Sequence, residues 1–498
     1  MRDKIVHSSF WDLSSIVSST FLAMILQLCS TALLTHILGT NGYGKFTLFL
    51  MVANLFFLFG ISWSSAAIIR YGREEFVKEH RINKTFWARN AILVPIFIIL
   101  LIGLIFFRNQ LLNYIGFPDY GFLLLALYVL GNMFLNYIQY IQQAVGQMKL
   151  YASTRIAQSL FLILGIIAVM VIHIIPKNVS SVVVVSILTM FAVSILYTVF
   201  FDRKWFFPLE LDKDYLKKVF IFSYPIIFGS GSAYVVKYID IIVIKKYLAL
   251  SDIGVYSLSY RGFMVLQAVS MSLIAVLGPM MITFLAENRE DIILRFIKRI
   301  VTQGVLFWSL FLSLIILVGS FMIPVVFGRN FQPSILPFSV LMVGLGFNLI
   351  GSFYSPILTT YELIKQAMVI NVIMALVNLA GDLFLVPRMG IVGAAFASSI
   401  SFFLSAVLYL FITNRHLFLN EWKQVFAVSP LIVSFIIFII FHNVGIQLLG
   451  IIGVIGISLL FVRETGMFKK DDLNMYSKIN MPFIFRRTLT FIYNFLSA

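Results

Sequence analysis

Runs of apolar residues long enough to cross a bilayer follow one another along this chain almost without a break, and they leave few folds open. Hydrocarbon offers no water to a backbone amide or carbonyl, so a spanning segment must be a helix or a strand of a closed barrel. A helix needs roughly twenty residues to cross, a barrel strand about ten. The runs here are of the helical kind. Fourteen can be read: 14–38, 46–69, 88–107, 121–145, 153–175, 180–201, 219–246, 254–282, 300–326, 334–360, 366–387, 390–413, 425–441 and 445–462. The fold class expected is therefore an all-α integral membrane protein. Composition agrees, since 60% of the 498 residues are hydrophobic and only 12% charged, too few charges to clothe a soluble protein of this size. Residues 1–12 are polar and charged, and the first run has no small-residue cleavage site after it, so it is expected to be retained as a span. Cys29, the single cysteine, lies inside that run. It excludes internal disulfides and any metal cluster built on thiolates.

A formal charge of +16 points either to nucleic acid or to membrane topology, and the distribution of the basic residues decides. With basic residues in the outermost three positions of a run counted to the adjoining connection, the N-terminus, the even-numbered connections and the C-terminal tail hold 28 of the 37 Lys and Arg residues. The odd-numbered connections hold seven: Lys45, Arg108, Lys177, Lys245, Lys246, Arg329 and Arg388. Lys237 and Arg261 fall inside spans. Such a bias places both termini in the cytoplasm and favours an even number of spans. It also argues against a nucleic-acid partner, because the charges are scattered over short loops. The longest connection, 202–218, is too short for a soluble domain. The tail, 466–498, mixes Lys469, Lys470, Arg486 and Arg487 with Phe483, Phe485, Phe491 and Tyr493. It reads as an amphipathic helix on the cytoplasmic leaflet, or else as a disordered tail.

Two turns about 210 residues apart look like copies. Leu38-Gly39-Thr40-Asn41-Gly42-Tyr43-Gly44-Lys45-Phe46-Thr47-Leu48 aligns with Leu248-Ala249-Leu250-Ser251-Asp252-Ile253-Gly254-Val255-Tyr256-Ser257-Leu258. Further on, at an offset of 216, Asn132 meets Asn348, Lys149 meets Lys365 and Gly165 meets Gly381. Spans 1–6 thus pair with spans 7–12. Six is even, so the copies share an orientation and are related by an axis along the membrane normal. The expected organisation is an N-lobe (1–210), a C-lobe (211–415), two further spans (416–465) and the cytoplasmic tail (466–498).

Two six-helix lobes in parallel repeat, with a G-x-[aromatic]-x-L turn after spans 1 and 7, resemble the multidrug/oligosaccharidyl-lipid/polysaccharide exporter superfamily. Pro387-Arg388-Met389-Gly390-Ile391-Val392-Gly393-Ala394-Ala395 is similar to that superfamily's P-x-x-G-x-x-G-A-A lead into span 12. Proline ends one helix there, and small residues let the next approach a neighbour closely. Within the superfamily, the fourteen-span and strongly basic pattern resembles bacterial polysaccharide transporters, the Wzx-type flippases. The resemblance implies a MATE-like fold in the bacterial inner membrane. It implies flipping of undecaprenyl-diphosphate-linked oligosaccharide, such as an O-antigen (lipopolysaccharide), capsule or exopolysaccharide unit, by alternating access. It also implies association with polysaccharide assembly proteins. In one respect the chain departs from the pattern. Related flippases of lipid-linked peptidoglycan precursors carry cavity-lining arginines on their first two spans. Here those spans have none away from their ends, Arg70 lying at a cytoplasmic end.

An ionisable group in hydrocarbon costs about 2.5–3.5 kcal/mol at a helix centre and is usually functional. Lys237 and Asp240 share a face of span 7. Arg261 lies on span 8, roughly 10 Å past its outer end at 1.5 Å per residue. Asp382 lies near the outer end of span 11. The first lobe offers amides instead: Asn132, Asn136, Gln139 and Gln142 on span 4, with Gln158 on span 5. Arginine grips a diphosphate bidentately, so Arg261 with Lys237 is the expected diphosphate site. Asn132, Asn136 and Gln139, at helical spacing, would meet the glycan. Asp240 and Asp382 are the candidates for coupling a cation, H+ or Na+. Plainer roles stay open for each: a Lys237–Asp240 salt bridge, an Arg261 snorkelling to headgroups, an interfacial Asp382, and amides that merely join helices. His36 and His173 sit near outer span ends without a visible partner.

No P-loop, nucleophile elbow or metal-spaced histidine pattern is present, and no long loop could house a catalytic site. The chain therefore reads as a transporter that needs no cofactor or metal, not as an enzyme. A cation-coupled multidrug exporter of the same superfamily is the main alternative. A membrane polysaccharide polymerase or ligase would need a large arginine-bearing outer loop, and the longest outer connection, 108–120, carries one arginine.

Overall fold

The computed structural model describes residues 2–464 apart from 173 and 442. The expected amphipathic tail and His173 lie outside the described residues. Helices make up the fold, and among the described residues there is no strand. In chain order they are α1 (Arg2–Gly60), α2 (Ser65–Glu79), α3 (Asn83–Phe106), α4 (Arg108–Ile115), α5 (Gly121–Ala144), α6 (Met148–Val171), α7 (Val179–Thr198), α8 (Lys213–Tyr247), α9 (Leu250–Ala286), α10 (Glu290–Arg295), α11 (Thr302–Met322), α12 (Ile335–Thr360), α13 (Ile364–Met389), α14 (Ile391–His416), α15 (Lys423–Phe426), α16 (Ser429–Ile440) and α17 (Val444–Glu464). Eleven helical stretches of the described residues are long and apolar enough to cross a membrane. The number differs from fourteen for identifiable reasons. The first two expected spans are counted together as α1, but non-helical Gly39 (φ 61°, ψ −174°) divides that stretch into two helices at the start of the expected connection. The eighth and fourteenth runs lie on α9 and α17, which do not count among the eleven.

By its contacts the chain divides into two compact units. The first runs to Ser257 and also holds Val326–Asn330. In it α1 packs on α6, α5 on α2 and α7, and α3 on α8. The two copies of the repeated turn meet here. A Cβ on Gly44 would stand 2.0 Å from the Leu250 carbonyl oxygen, and a Cβ on Gly254 would stand 2.0 Å from that of Thr40. Position 40 is the counterpart of 250 and 44 of 254, so each glycine seats the carbonyl of the other copy in the same way. Only hydrogen in place of Cβ lets the two backbones come this close. The turns themselves are made differently. Gly39 supplies a left-handed residue in the first copy, whereas in the second the Asp252 carboxylate accepts from the Ala249 amide at 3.0 Å.

The second unit comprises Leu258–Val325 and the described residues from Phe331 onward. It is built round α12, the most buried of the spans, against which α11, α14 and α16 pack. The turn between α13 and α14 uses Gly390 at φ 63°, and a Cβ on Gly393 would meet the Leu385 carbonyl at 2.5 Å. The glycines paired by the repeat are used alike. Gly165 of α6 seats Val185 of α7, and Gly381 of α13 seats Ala397 of α14.

Because a methyl at Gly44 or Gly254 has backbone and not a flexible side chain in its way, Gly44→Ala and Gly254→Ala should each destabilise the protein by about 1–3 kcal/mol, the usual cost of overpacking. The reciprocal geometry makes the two effects similar in size, and together they should fall short of additive. Thermal unfolding in detergent measures this; single variants that melt like the native chain would show that the crossing opens at no cost.

Candidate functional site

The charged residues expected on span 7 fall on α8. Lys237 is exposed, with Nζ 4.9 Å from the centre of the Tyr238 ring. No ion pair joins it to Asp240. That carboxylate is buried, 3% exposed, and accepts a hydrogen bond from the hydroxyl of the fully buried Tyr256 on α9. The helical spacing of 237 and 240 is right for a pair, but Asp240 points into the packed interior. The wall beside Lys237 is aromatic and polar. Tyr234 and Tyr238 lie 4.7 Å apart, Tyr234 donates to the Met51 carbonyl at 2.7 Å, and Asn54 Nδ2 donates to the Tyr238 hydroxyl at 3.0 Å. Asn54, Tyr234 and Tyr238 were not singled out from sequence, though each is a polar residue within an apolar run.

Arg261 is half-buried on α9, in the part of that helix belonging to the second unit. Asp382, also in the second unit, is fully buried, and Asn378 one turn earlier donates to its Oδ2 at 3.3 Å. α14 packs along α13, which accounts for the burial.

The amides of α5 separate into two groups. Asn132 and Asn136 are half-buried, and Asn136 Nδ2 donates to the Asn132 carbonyl and Oδ1, both at 2.8 Å. Gln139 is 8% exposed and its carbonyl accepts from Gln143. Gln142 is fully buried, its Nε2 donating to the Thr154 hydroxyl at 2.9 Å on α6. Gln142 thus joins two helices, while Asn132 and Asn136 hold each other.

A further polar cluster surrounds a break in the second span. The helix interrupts at Ile61 (φ −142°, ψ −31°), which frees carbonyls that lipid cannot satisfy. Trp63 Nε1 donates to the Phe59 carbonyl at 3.0 Å. Arg89 of α3, fully buried, donates from Nη2 to the Ile61 carbonyl at 3.2 Å and from Nε to Ser64 Oγ at 2.9 Å. Its guanidinium lies 4.9 Å from the Tyr137 ring centre and 5.8 Å from that of Tyr140. The base of α3 is held in turn by Glu75, whose carboxylate accepts from the Lys84 and Thr85 amides, both at 2.9 Å. Nearby, Arg70 and Lys218 both approach the Tyr71 ring, at 5.4 and 4.4 Å. The sequence signal for this cluster is an arginine one position inside the apolar run 88–107. Counted with the basic connection before it, Arg89 passes for a loop residue.

The long apolar helices are those of a multi-pass membrane protein. Residues 11–285, more than half of the chain, match the family described as Polysaccharide biosynthesis protein. The chain belongs to that family, and with it to the multidrug/oligosaccharidyl-lipid/polysaccharide exporter superfamily. A comparison with curated proteins returns no match. Among solved structures, the fold is similar to lipid II flippase MurJ in an inward closed conformation (TM-score 0.66, 17% identity, 90% of this chain and 99% of that one). It is also similar to an inward-facing multidrug resistance MATE family transporter of the MOP superfamily (TM-score 0.62, 13% identity, 82% and 95%). A third likeness is to a mutant of the Vibrio cholerae MATE transporter VcmN (TM-score 0.55, 14% identity, 81% and 97%). At such identities the likeness establishes the fold. The chain is a multi-pass membrane protein of a transporter superfamily.

Glu75 gives the base of α3 a pH dependence. The residue is 1% exposed, and burial raises its carboxyl above the usual carboxylate range, outweighing the amides that favour the charged form. A raised folded-state value means that ionisation weakens the fold. The stability is complete below the unfolded value of about 4.3 and declines as pH rises through the folded value. Melting curves should therefore show the native chain losing stability as pH rises through this window, with Glu75→Gln flatter. Parallel slopes in the two proteins would rule the effect out.

Proposed function

We propose that this protein is a flippase for undecaprenyl-diphosphate-linked oligosaccharide in the bacterial inner membrane, with both termini cytoplasmic and lobes 1–210 and 211–415 alternating between leaflets. The observation that carries the reading is the family match over residues 11–285. The wall around Lys237 supports it. An exposed cation over an aromatic ring, flanked by Tyr234, Tyr238 and Asn54, offers what a diphosphate-linked sugar needs: fixed positive charge, ring faces and amide hydrogen bonds. Lys237 and Arg261 are assigned to the diphosphate, and Asn132, Asn136 and Gln139 to the glycan. Asp240 and Asp382 are assigned to a coupling cation, H+ or Na+. The expected substrate classes are O-antigen, capsule and exopolysaccharide units, and the expected partners are the polysaccharide assembly proteins that supply and consume them. A cation-coupled multidrug exporter is the second reading, favoured by the MATE fold neighbours. Its cavity would suit organic cations, which exposed Lys237 opposes.

The test is complementation of surface polysaccharide in a deletion strain at matched protein levels. Lys237→Ala and Arg261→Ala should each lower the polysaccharide at least tenfold, while Lys237→Arg should retain most of it. Normal polysaccharide in both alanine variants removes them from the mechanism, and altered drug sensitivity with intact polysaccharide selects the multidrug reading. In a reconstituted assay, Asp240→Asn should abolish any pH or sodium dependence of flipping. Unchanged dependence would exclude Asp240 as the coupling residue.

A further inference from the structure

Arg89 is the buried charge that the transport reading leaves unused. It is fully buried, and among the described residues no carboxylate pairs with it. Nε and Nη2 are bonded to Ser64 and Ile61, but Nη1 has no partner. A buried cation with neither counter-ion nor a full set of acceptors is unfavourable unless something completes it.

What lies next to it is apolar. A groove of about 290 Å³ is lined by Ile61, Leu93, Val94, Phe97, Leu130 and Tyr137, among others. Two of these residues belong to both features. The Ile61 carbonyl accepts from Arg89, and the Tyr137 ring carries the guanidinium. Leu93 and Phe97 follow Arg89 one and two turns along α3, on the same face. The groove therefore leads away from the cation along the helix. Its flanks are open, with Val94 57%, Phe134 38% and Leu130 36% exposed, and at this depth they face hydrocarbon.

The polarity of the arrangement is that of a phospholipid. Arg89 lies six residues past the start of α3 at Asn83, about 9 Å at 1.5 Å per residue. Phe97 lies about 12 Å deeper on the same measure. The end of α2, the turn after it and the first residues of α3 carry Arg73, Lys78, Arg81 and Lys84, so this is the leaflet that basic residues mark as cytoplasmic. A cation sits near headgroup depth, and an apolar channel runs from it toward the bilayer centre.

We propose that this groove holds one acyl chain of an anionic phospholipid from that leaflet, with the lipid phosphate bonded to Nη1 of Arg89. Tyr137, which lines the groove and covers the guanidinium, is the side chain that moves to admit the phosphate. The occupant is a bilayer lipid and not the transported one. The groove lies at the small end of ligand sites, roughly 300 Å³, which suits a stretch of chain and leaves no room for a glycan. The bound phosphate supplies the counter-charge that the broken second span lacks, so the lipid stabilises the break at Ile61.

The experiment is native mass spectrometry of the full chain released from nanodiscs of equal phosphatidylglycerol and phosphatidylcholine. The native protein should retain one phosphatidylglycerol, preferred at least tenfold over phosphatidylcholine. Arg89→Lys, which keeps the charge but offers one ammonium in place of three guanidinium nitrogens, should lower that preference several-fold. Leu130→Trp fills the groove while leaving the polar cluster intact. In lipid-free detergent it should melt as the native chain does, and in the nanodisc it should lose the lipid. Retention of phosphatidylglycerol by a folded Leu130→Trp variant would overturn the proposal, as would equal retention of the two lipids. Displacement by an equimolar polyprenyl phosphate would make the substrate's own carrier the occupant and overturn the assignment to a bilayer lipid. The readout requires no transport, so it stands apart from the activity proposed above.

Discussion

Wherever a spanning helix is interrupted, backbone groups are released into a solvent that cannot bond them, and much of this structure can be understood as the answer to that problem. At Gly39 one non-helical glycine divides α1 into two helices. A second break falls at Ile61, where the freed carbonyls are met by an indole from the same segment and a guanidinium from α3. Arg89 can reach that break only because α3 starts at the right place, and its start is fixed by Glu75 on the amides of Lys84 and Thr85. One helix break therefore makes α2, α3 and α5 interdependent: the carboxylate sets the helix base, the base sets the arginine, and the arginine lies against two tyrosines of α5.

The duplicated turn has a different logic. Gly44 and Gly254 are placed alike because each must accept the carbonyl of the other copy's turn. That contact demands glycine at both positions but says nothing about how either turn is built. The first copy accordingly uses a left-handed glycine and the second an aspartate cap. Positions in close contact across the repeat stay matched, while those facing elsewhere have diverged.

This difference explains what the sequence disclosed. The apolar runs, the matched glycines and the small-residue turn at Gly390 and Gly393 are local patterns, and each describes the helix or crossing it sits on. Side-chain partnerships are not local. Lys237 and Asp240 have the spacing of a salt bridge, yet Asp240 is held by Tyr256, sixteen residues away, and Lys237 turns to a ring. Asp382 lies near the end of its apolar run and is nonetheless fully buried, because depth along a helix does not determine which neighbour covers it. Arg89 was hidden by the same counting that oriented the spans. Grouped with the basic loop before it, it contributed to topology, and its carbonyl and hydroxyl partners 28 and 25 residues upstream leave no periodic trace.

The chemistry of the charged groups follows from where they are held. A cation on an exposed helix face, as at Lys237, keeps its field available to its surroundings, with the Tyr238 ring 4.9 Å from Nζ. A cation walled in by carbonyl, hydroxyl and ring faces, as at Arg89, uses Nε and Nη2 to hold one conformation of the backbone and leaves Nη1 without a hydrogen-bond partner. Two basic residues of similar formal charge within one unit thus serve opposite ends. The one most costly to bury is least suited to bind a passing substrate and best suited to fix the frame. A break secured by an arginine thus ties the bend of the second span to α3 through bonds inside one unit.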